Sequence, residues 1–504
     1  MDRLTAEDMV MFVNAATTST GQREFHGQAA EQRASLEFLH EYVAGNYRDL
    51  YAAVLALDIN DLNAALITRR LLATSAEATP AQRALEGRLI ARRLAVMPPQ
   101  RVYDLFRDLR RAGVNNRRTR AIIRDWLAAR PDQAFDAVKY RQGLKRALRH
   151  THLTPTRITA GPTDAGATDA GATDTGATDT GARDAGPTNT AARDAVLADE
   201  LGTFLFRTAS PGRFRTPLLE SWRRAHYEQA AVYDLPYTVA EGFAAKHGIA
   251  RPAFLAKIKP NLTRLESLRL RESANTGTDL AAMPLTRLAT YVLSLSFADR
   301  VNRRAELTDA LRAAARRTAG RNAGQWGRVA AVLDDSFSSY GSGVKRRRPL
   351  AVAVAGHFLL EALAAEFVPL WTSGATDPLM AHPRGATPLG HRILDALSHE
   401  PDRLLIISDG WDNAPPGLAG EVLRVWRGNI DPTNRVSAIH LNPVYDAGDY
   451  DVKRLTRDVP SVGIRNAEDL PTLVEFARFT EGRAGYASLS AHFTDRVTRF
   501  LEPS

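Results

Sequence analysis

The hydrophobic period of this 504-residue chain changes near residue 320. That change limits the fold more than any other feature. Up to about residue 156, and again from about 195 to 318, apolar residues recur at three and four. Leu36, Leu39, Tyr42 and Val43 show the pattern, as do Leu50, Tyr51, Val54 and Leu55. This is the spacing of helices with one buried face. Breaks at Ala78-Thr79-Pro80, Met97-Pro98-Pro99, Ala112-Gly113 and Arg130-Pro131 come at intervals of roughly 15–35 residues, as in the helix hairpins of an α-solenoid. No strict repeat links them, so a HEAT-like array follows from spacing alone. Past residue 325 short apolar runs take over: Val329–Leu333, Phe367–Trp371, Arg403–Ser408 and Val436–Leu441. Helix-like stretches separate or follow them, at Leu350–Ala365, Pro388–Ser398, Gly417–Trp426 and Ala467–Phe479. Alternating strands and helices predict a mostly parallel α/β sheet.

The length is too great for one ordinary core, and two or three domains are expected. Apolar content of 44% and charged content of 24% are those of a soluble globular protein. There is no cysteine, which excludes disulfides, thiolate zinc sites and cysteine nucleophiles and fits a reducing compartment. The first residues carry early acids and no apolar core, unlike a secretory signal. The most apolar stretch, Pro349 to Val368, is interrupted by His357, Glu361 and Glu366. A buried helix running into a strand is expected there, not a membrane span. A cytoplasmic, monomeric protein without membrane association is the expectation. The formal net charge of +9 favours an anionic partner.

Between the two helical stretches the chain repeats near-identical pentads, such as Gly166-Ala167-Thr168-Asp169-Ala170 and Gly171-Ala172-Thr173-Asp174-Thr175. With almost no large apolar residue, the segment cannot offset its ordering entropy, and a disordered insertion is predicted. Calcium-binding β-roll repeats are nonapeptides with a periodic apolar residue, which is missing here.

In an open α/β sheet, ligands collect beyond the carboxyl ends of the strands. The first predicted strand runs into Asp334-Asp335-Ser336-Phe337-Ser338, the second is followed by Gly385-Ala386-Thr387-Pro388, and the third ends in Ser408-Asp409-Gly410. Asp334, Ser336, Ser338, Thr387 and Asp409 thus offer two carboxylates and three hydroxyls on one edge. All are oxygen donors, suited to Mg²⁺ first, or to Mn²⁺ or Ca²⁺. Two carboxylates leave such an ion undercompensated, so an open position can take a carboxylate or phosphate from a partner. A metal with open positions can also activate water. Nothing in the sequence places Asp335 or Asp412 as a general base, and a non-catalytic role is expected. The pattern resembles the metal-ion-dependent adhesion site (MIDAS) of von Willebrand A domains. The family's Asp-x-Ser-x-Ser falls on Asp334, Ser336 and Ser338, its loop threonine on Thr387 and its third-loop aspartate on Asp409.

From Arg101 to Arg157 fifteen basic residues face five acids. Arginine dominates, which favours bidentate phosphate contacts and stacking on bases. The candidates for an RNA surface are Arg110, Arg111, Arg117, Arg118, Arg120, Arg124, Lys139, Arg141, Lys145, Arg146, Arg149, His150 and His152. A solvated arginine-rich helix face would give the same count. Ala121-Ile122-Ile123-Arg124-Asp125-Trp126-Leu127, Val138-Lys139-Tyr140-Arg141 and His152-Leu153-Thr154-Pro155 follow one another here. In that order they resemble the TROVE module of the Ro ribonucleoprotein family.

The resemblance implies an α + α/β multidomain architecture: a ring of HEAT-like helical repeats followed by a von Willebrand A, Rossmann-like domain. The parts would be residues 1–157 and 196–322 for the two halves of the helical module, 158–195 for the insertion and 323–504 for the A-type domain. It also implies a non-catalytic scaffold for small structured noncoding RNA and for single-stranded ends of misfolded RNA. Exonucleases or RNA-repair enzymes would be its partners. The other expectation is an adaptor that grips a partner such as an AAA+ ATPase through its metal. Lys345-Arg346-Arg347-Arg348 would either extend the basic surface or form a solvated turn.

Overall fold

The structure, a computed structural model, describes residues 2–159, 189–207, 212–259, 262, 280–473 and 486–502. The insertion predicted over residues 158–195 is shorter: 158–159 and 189–195 belong to helices Pro155–Thr159 and Asn189–Phe206, and the pentads between them lie outside the described residues. The chain divides into two compact units: Met1–Arg70 with Thr276–Ser504, and Leu71–Asn275. Each predicted half of the helical pattern contributes to both.

The first unit contains a five-stranded, all-parallel sheet. Its strands are β1 (Arg328–Leu333), β2 (Glu366–Trp371), β3 (Arg403–Ile407), β4 (Ser437–Asn442) and β7 (Ser461–Gly463), in the order β2-β1-β3-β4-β7. The four predicted strands are present within a residue or two of their expected ends. β7 is new, a three-residue strand paired with His440, Leu441 and Asn442. A two-residue antiparallel pair, β5 (Tyr445–Asp446) and β6 (Asp451–Val452), sits between β4 and β7. Because β1 lies between β2 and β3, the connections from it reverse direction across the sheet. That reversal opens a crevice at the strand ends, where ligands sit in such folds.

One face of the sheet packs Val332, Leu404 and Ile406 against Leu389 and Ile393 of helix Leu389–Ser398 and Leu423 of helix Leu418–Val425. Against β1 also lies helix Arg348–Leu363, which is buried around almost its whole circumference. Its all-round apolar character follows from that position, since helices Leu285–Ser294 and Arg304–Ala319 cover its other side. The apolar stretch from Pro349 is therefore a buried helix that runs into β2, as expected. Among the described residues, no helix is long and apolar enough to cross a membrane.

Residues 1–70 add helices to the same unit. Helix Asp2–Thr18 meets the far edge of the sheet through Asn14. Its Nδ2 donates to Asp451 Oδ1 (2.8 Å), and its Oδ1 accepts from Gly463 N (2.8 Å). The approach is close enough that a Cβ on Gly463 would lie 3.0 Å from the Asn14 carbonyl oxygen and 2.9 Å from Thr18, so only glycine fits.

Every regular element among the described residues of the second unit is a helix. Its breaks match the sequence punctuation. Thr79 caps helix Pro80–Val96 by accepting from Gln82 N, with Pro80 at the first helical position. Gly113 takes a positive φ of 69° after helix Pro99–Arg111. Asn116 caps helix Arg117–Ala128, and Asp132 caps helix Gln133–Lys139.

Candidate functional site

The end of β1 sets the first loop. Asp334 N donates to Ile407 O (3.0 Å), the last rung towards β3, and the chain then leaves the sheet through Asp335-Ser336 into a short turn at Phe337–Tyr340. The second loop is drawn onto it, because Phe337 N donates to Gly385 O (3.1 Å) and Arg384 N to Asp335 O (3.0 Å). The second and third loops are tied as well. Thr387 N donates to Asn413 Oδ1 (2.7 Å), and Asn413 N donates to Thr387 O (3.3 Å). Gly410, at φ 81°, lets the third loop turn where a Cβ would meet the Lys453 carbonyl oxygen at 3.0 Å.

All five predicted oxygen donors are buried at this edge. Four are linked directly: Ser336 bonds Asp334, Ser338 bonds Asp409, and the two serine hydroxyls lie 3.2 Å apart. Thr387 reaches the same edge through its backbone ties. Ser408 was not singled out from the sequence, yet its Oγ donates to Asp334 Oδ2 (2.8 Å). It stands at the end of β3 beside Asp409, so the strand-end position that marks Asp409 also marks Ser408. His26 and Trp411 are further additions. The His26 Nε2 lies 3.9 Å from Asp409 Oδ2, and its ring stacks on Trp411 at 4.3 Å. Trp411 N in turn donates to Asp409 Oδ1 (3.1 Å).

The electrostatics favour a cation. Burial, and then the charge of Asp409, push the Asp334 carboxyl up to about 6. Burial also raises Asp409. His26 is the only basic side chain within 4 Å of either carboxylate among the described residues. Burial keeps its own pKa below the usual histidine value, so it does not offset the pair's charge at neutral pH. Two buried carboxylates that repel each other, with hydroxyls alongside, match the donor chemistry of a hard divalent ion.

The neighbouring acids hold a loop and a helix start, and Asp412 Oδ1 is buried without a hydrogen-bond partner among the described residues. Asp335 accepts from Thr372 Oγ1 (2.9 Å), Ser373 N (2.9 Å) and Ser373 Oγ (2.6 Å), which anchors the loop after β2. Asp412 Oδ2 accepts from Ala419 N (2.7 Å), at the start of helix Leu418–Val425. The Lys345–Arg348 run forms neither a basic surface nor a solvated turn. Lys345 pairs with Glu24 in the interior, Arg347 donates to Leu293 O, and Arg348 donates to Pro443 O (3.0 Å). Only Arg346 of the four is exposed.

In the second unit the basic candidates separate into two groups. Arg118 points inward, with Nη1 2.8 Å from the buried Glu86 and Nη2 donating to Arg83 O (2.8 Å). Arg141 donates to Phe204 O (2.6 Å) and lies over Phe204 and Trp222 at 4.6 and 5.0 Å. His150 is buried, and burial lowers its pKa. Arg124 pairs with Asp125 at 2.7 Å, and Lys139 stands over Phe135 at 5.2 Å. Lys145 and Arg149 both lean on Phe206. Arg111 is exposed, 3.7 Å from Asp108. Arg110, Arg117, Arg120, Arg146, Arg149 and His152 are exposed. None of these six has an acidic partner within 4 Å among the described residues.

Compared with known proteins, the chain matches no family model and no curated protein.

Proposed function

We propose that this chain is a Ro-like, non-catalytic RNA-binding scaffold, a TROVE-type helical module joined to a von Willebrand A-type domain that holds a divalent cation. The observation that supports it most is the meeting, at one edge of a parallel sheet, of three loops far apart in sequence. Their Asp-x-Ser-x-Ser, threonine and aspartate are the pieces on which the resemblance to von Willebrand A domains rests. The cation would lie among Asp334, Ser336, Ser338, Thr387 and Asp409 and present an open position to a partner. Asp335 is engaged by the loop after β2 and Asp412 Oδ2 by the start of helix Leu418–Val425, which favours docking over hydrolysis. RNA would lie against Arg110, Arg117, Arg120, Arg146 and Arg149, whose guanidinium groups meet no acid among the described residues and can reach phosphates. Arg118, Arg141 and His150 would contribute only by holding the helices that present them.

The test is the absorbance ratio at 260 and 280 nm of the purified protein, followed by sequencing of any nucleic acid released. RNA enriched in structured noncoding species supports the scaffold. Protein free of nucleic acid, with no salt-sensitive binding to added RNA, contradicts it.

A second reading, a metal-dependent protein adaptor working with an AAA+ ATPase or similar partner, is favoured by the surroundings of the cation loop. Phe337 and Val344 are 61% and 66% exposed, and Phe25 meets Phe337 ring to edge at 5.9 Å. Exposed apolar side chains around a charged centre are the composition of an anchored protein contact. Cation-dependent capture of a protein partner by RNA-free material would favour this reading.

A further inference from the structure

We propose that His26 supplies a nitrogen ligand to the cation at this sheet edge, and that the site therefore selects a transition ion of the Mn²⁺, Co²⁺ or Zn²⁺ type over Mg²⁺ or Ca²⁺. This rests on the cation reading above and names its metal class. His26 belongs to the segment between helices Asp2–Thr18 and Ala29–Asn46, which is distant in sequence from every strand. The segment is held in place from several sides. Glu24 N donates to Gly27 O (2.9 Å), closing a tight loop around His26, while the Glu24 carboxylate pairs with Lys345 in the interior. Arg33 Nε donates to Gly21 O (3.2 Å). The imidazole is clamped between two rings, stacked on Trp411 at 4.3 Å and edge-on to Phe25 at 4.8 Å. Trp411 is itself part of the cation loop, so the same turn that orients Asp409 orients His26.

The spacing fits shared coordination. At 3.9 Å, Nε2 and Asp409 Oδ2 are too far apart for a hydrogen bond. Two donors each about 2.1 Å from one ion stand roughly 3.0 Å apart when adjacent and roughly 4.2 Å apart when opposite. The observed separation lies within that span. Carboxylate and hydroxyl oxygens alone accept Mg²⁺ or Ca²⁺, whereas an imidazole in the donor set shifts preference along the first-row divalent series.

Pulsed EPR on the full chain loaded with Mn²⁺ tests this. The wild type should show nitrogen-14 modulation from a directly bound imidazole. His26→Gln and His26→Ala should lose that modulation and still bind Mn²⁺, roughly tenfold more weakly. The variants should also lose the preference for Mn²⁺ over Mg²⁺ in competition titrations. Bound Mn²⁺ without nitrogen coupling, or coupling that survives in both variants, overturns the assignment while leaving the cation reading intact. If no divalent ion binds the wild type, and Asp334→Ala therefore removes nothing, the cation reading itself fails and the assignment falls with it.

Discussion

The sheet edge of the first unit and the arginine-rich helices of the second both looked like binding surfaces in the sequence, and the structure treats them differently. At the edge, the five chosen residues are all buried and four of them are linked directly, because each sits just past a strand or just before a helix. Strand direction then puts all such positions on one side. In the helices, the chosen basic residues scatter. Arg118 and Arg141 turn into the protein, His150 is buried, and Arg110, Arg117 and Arg120 face outward. Position at a strand end is a geometric statement, whereas membership of a charge run is only a composition. What a helical arginine touches depends on which neighbouring helix carries an acid.

Breaking the inward pair should have the largest effect. Glu86 is buried and Arg118 largely so. Glu86→Ala leaves an unpaired guanidinium inside and should cost about 3 kcal/mol or more, seen as an earlier urea midpoint for the second unit. Arg117→Ala should change the same midpoint by less than about 0.5 kcal/mol. Equal effects would erase the distinction between the two groups of arginines.

The outward group is next. Reversing charge at Arg110, Arg117 and Arg120 together should weaken RNA binding at least about tenfold and flatten its dependence on salt, because phosphate contacts are lost. A fluorescence anisotropy titration over several salt concentrations measures both. Unchanged affinity would move the RNA surface elsewhere.

A pH titration separates the candidate metal centre from an ordinary carboxylate pair. Burial, then the neighbouring Asp58, raises Asp469 to about 8 from its usual 3.8, with Arg465 opposing the shift. The folded state therefore holds this proton where the unfolded chain has released it. Stability should be full below about pH 4 and decline as pH rises towards about 8. Thermal midpoints across that range should fall less in Asp469→Asn than in the wild type, the remaining fall belonging to Asp334 and Asp409, which burial also raises. Added divalent cation should leave this dependence unaltered, since the charges that set it are those of Asp58 and Arg465.

The smallest effect on folding is expected from Phe337→Ala. The side chain is mostly exposed, so stability should move by less than about 0.5 kcal/mol. Capture of a protein partner, if the adaptor reading holds, should fall. Capture that is unaffected would separate the apolar collar from the cation's role.

Much of this was legible because it was local. The change from helical spacing to short apolar runs foretold β1 to β4, and the interruptions by His357 and Glu361 identified a buried helix that does not span a membrane. Thr79, Gly113 and Asn116 marked helix ends through their own backbone chemistry. What remained hidden was long-range. β7 is three residues long beside Pro460 and carries too few positions for a period. Asn14 reaches Asp451 and Gly463 across more than four hundred residues. Arg118 finds Glu86 on a helix thirty-two positions earlier. His26 lies in a segment with no motif of its own, and only folding brings it to Asp409. Each depends on how separate elements pack, which no local pattern encodes.

Thermal melting of the full chain in chelator and in excess Mn²⁺ or Mg²⁺, for the wild type and for Asp334→Ala, tests the central claim most directly. At a cation concentration about a hundredfold above its dissociation constant, binding should stabilise the wild type by about 2.7 kcal/mol. The transition of the first unit should rise accordingly, while that of Asp334→Ala stays where it is in chelator. A wild type indifferent to divalent cations, or a variant that gains as much as the wild type, would contradict a metal centre at this edge.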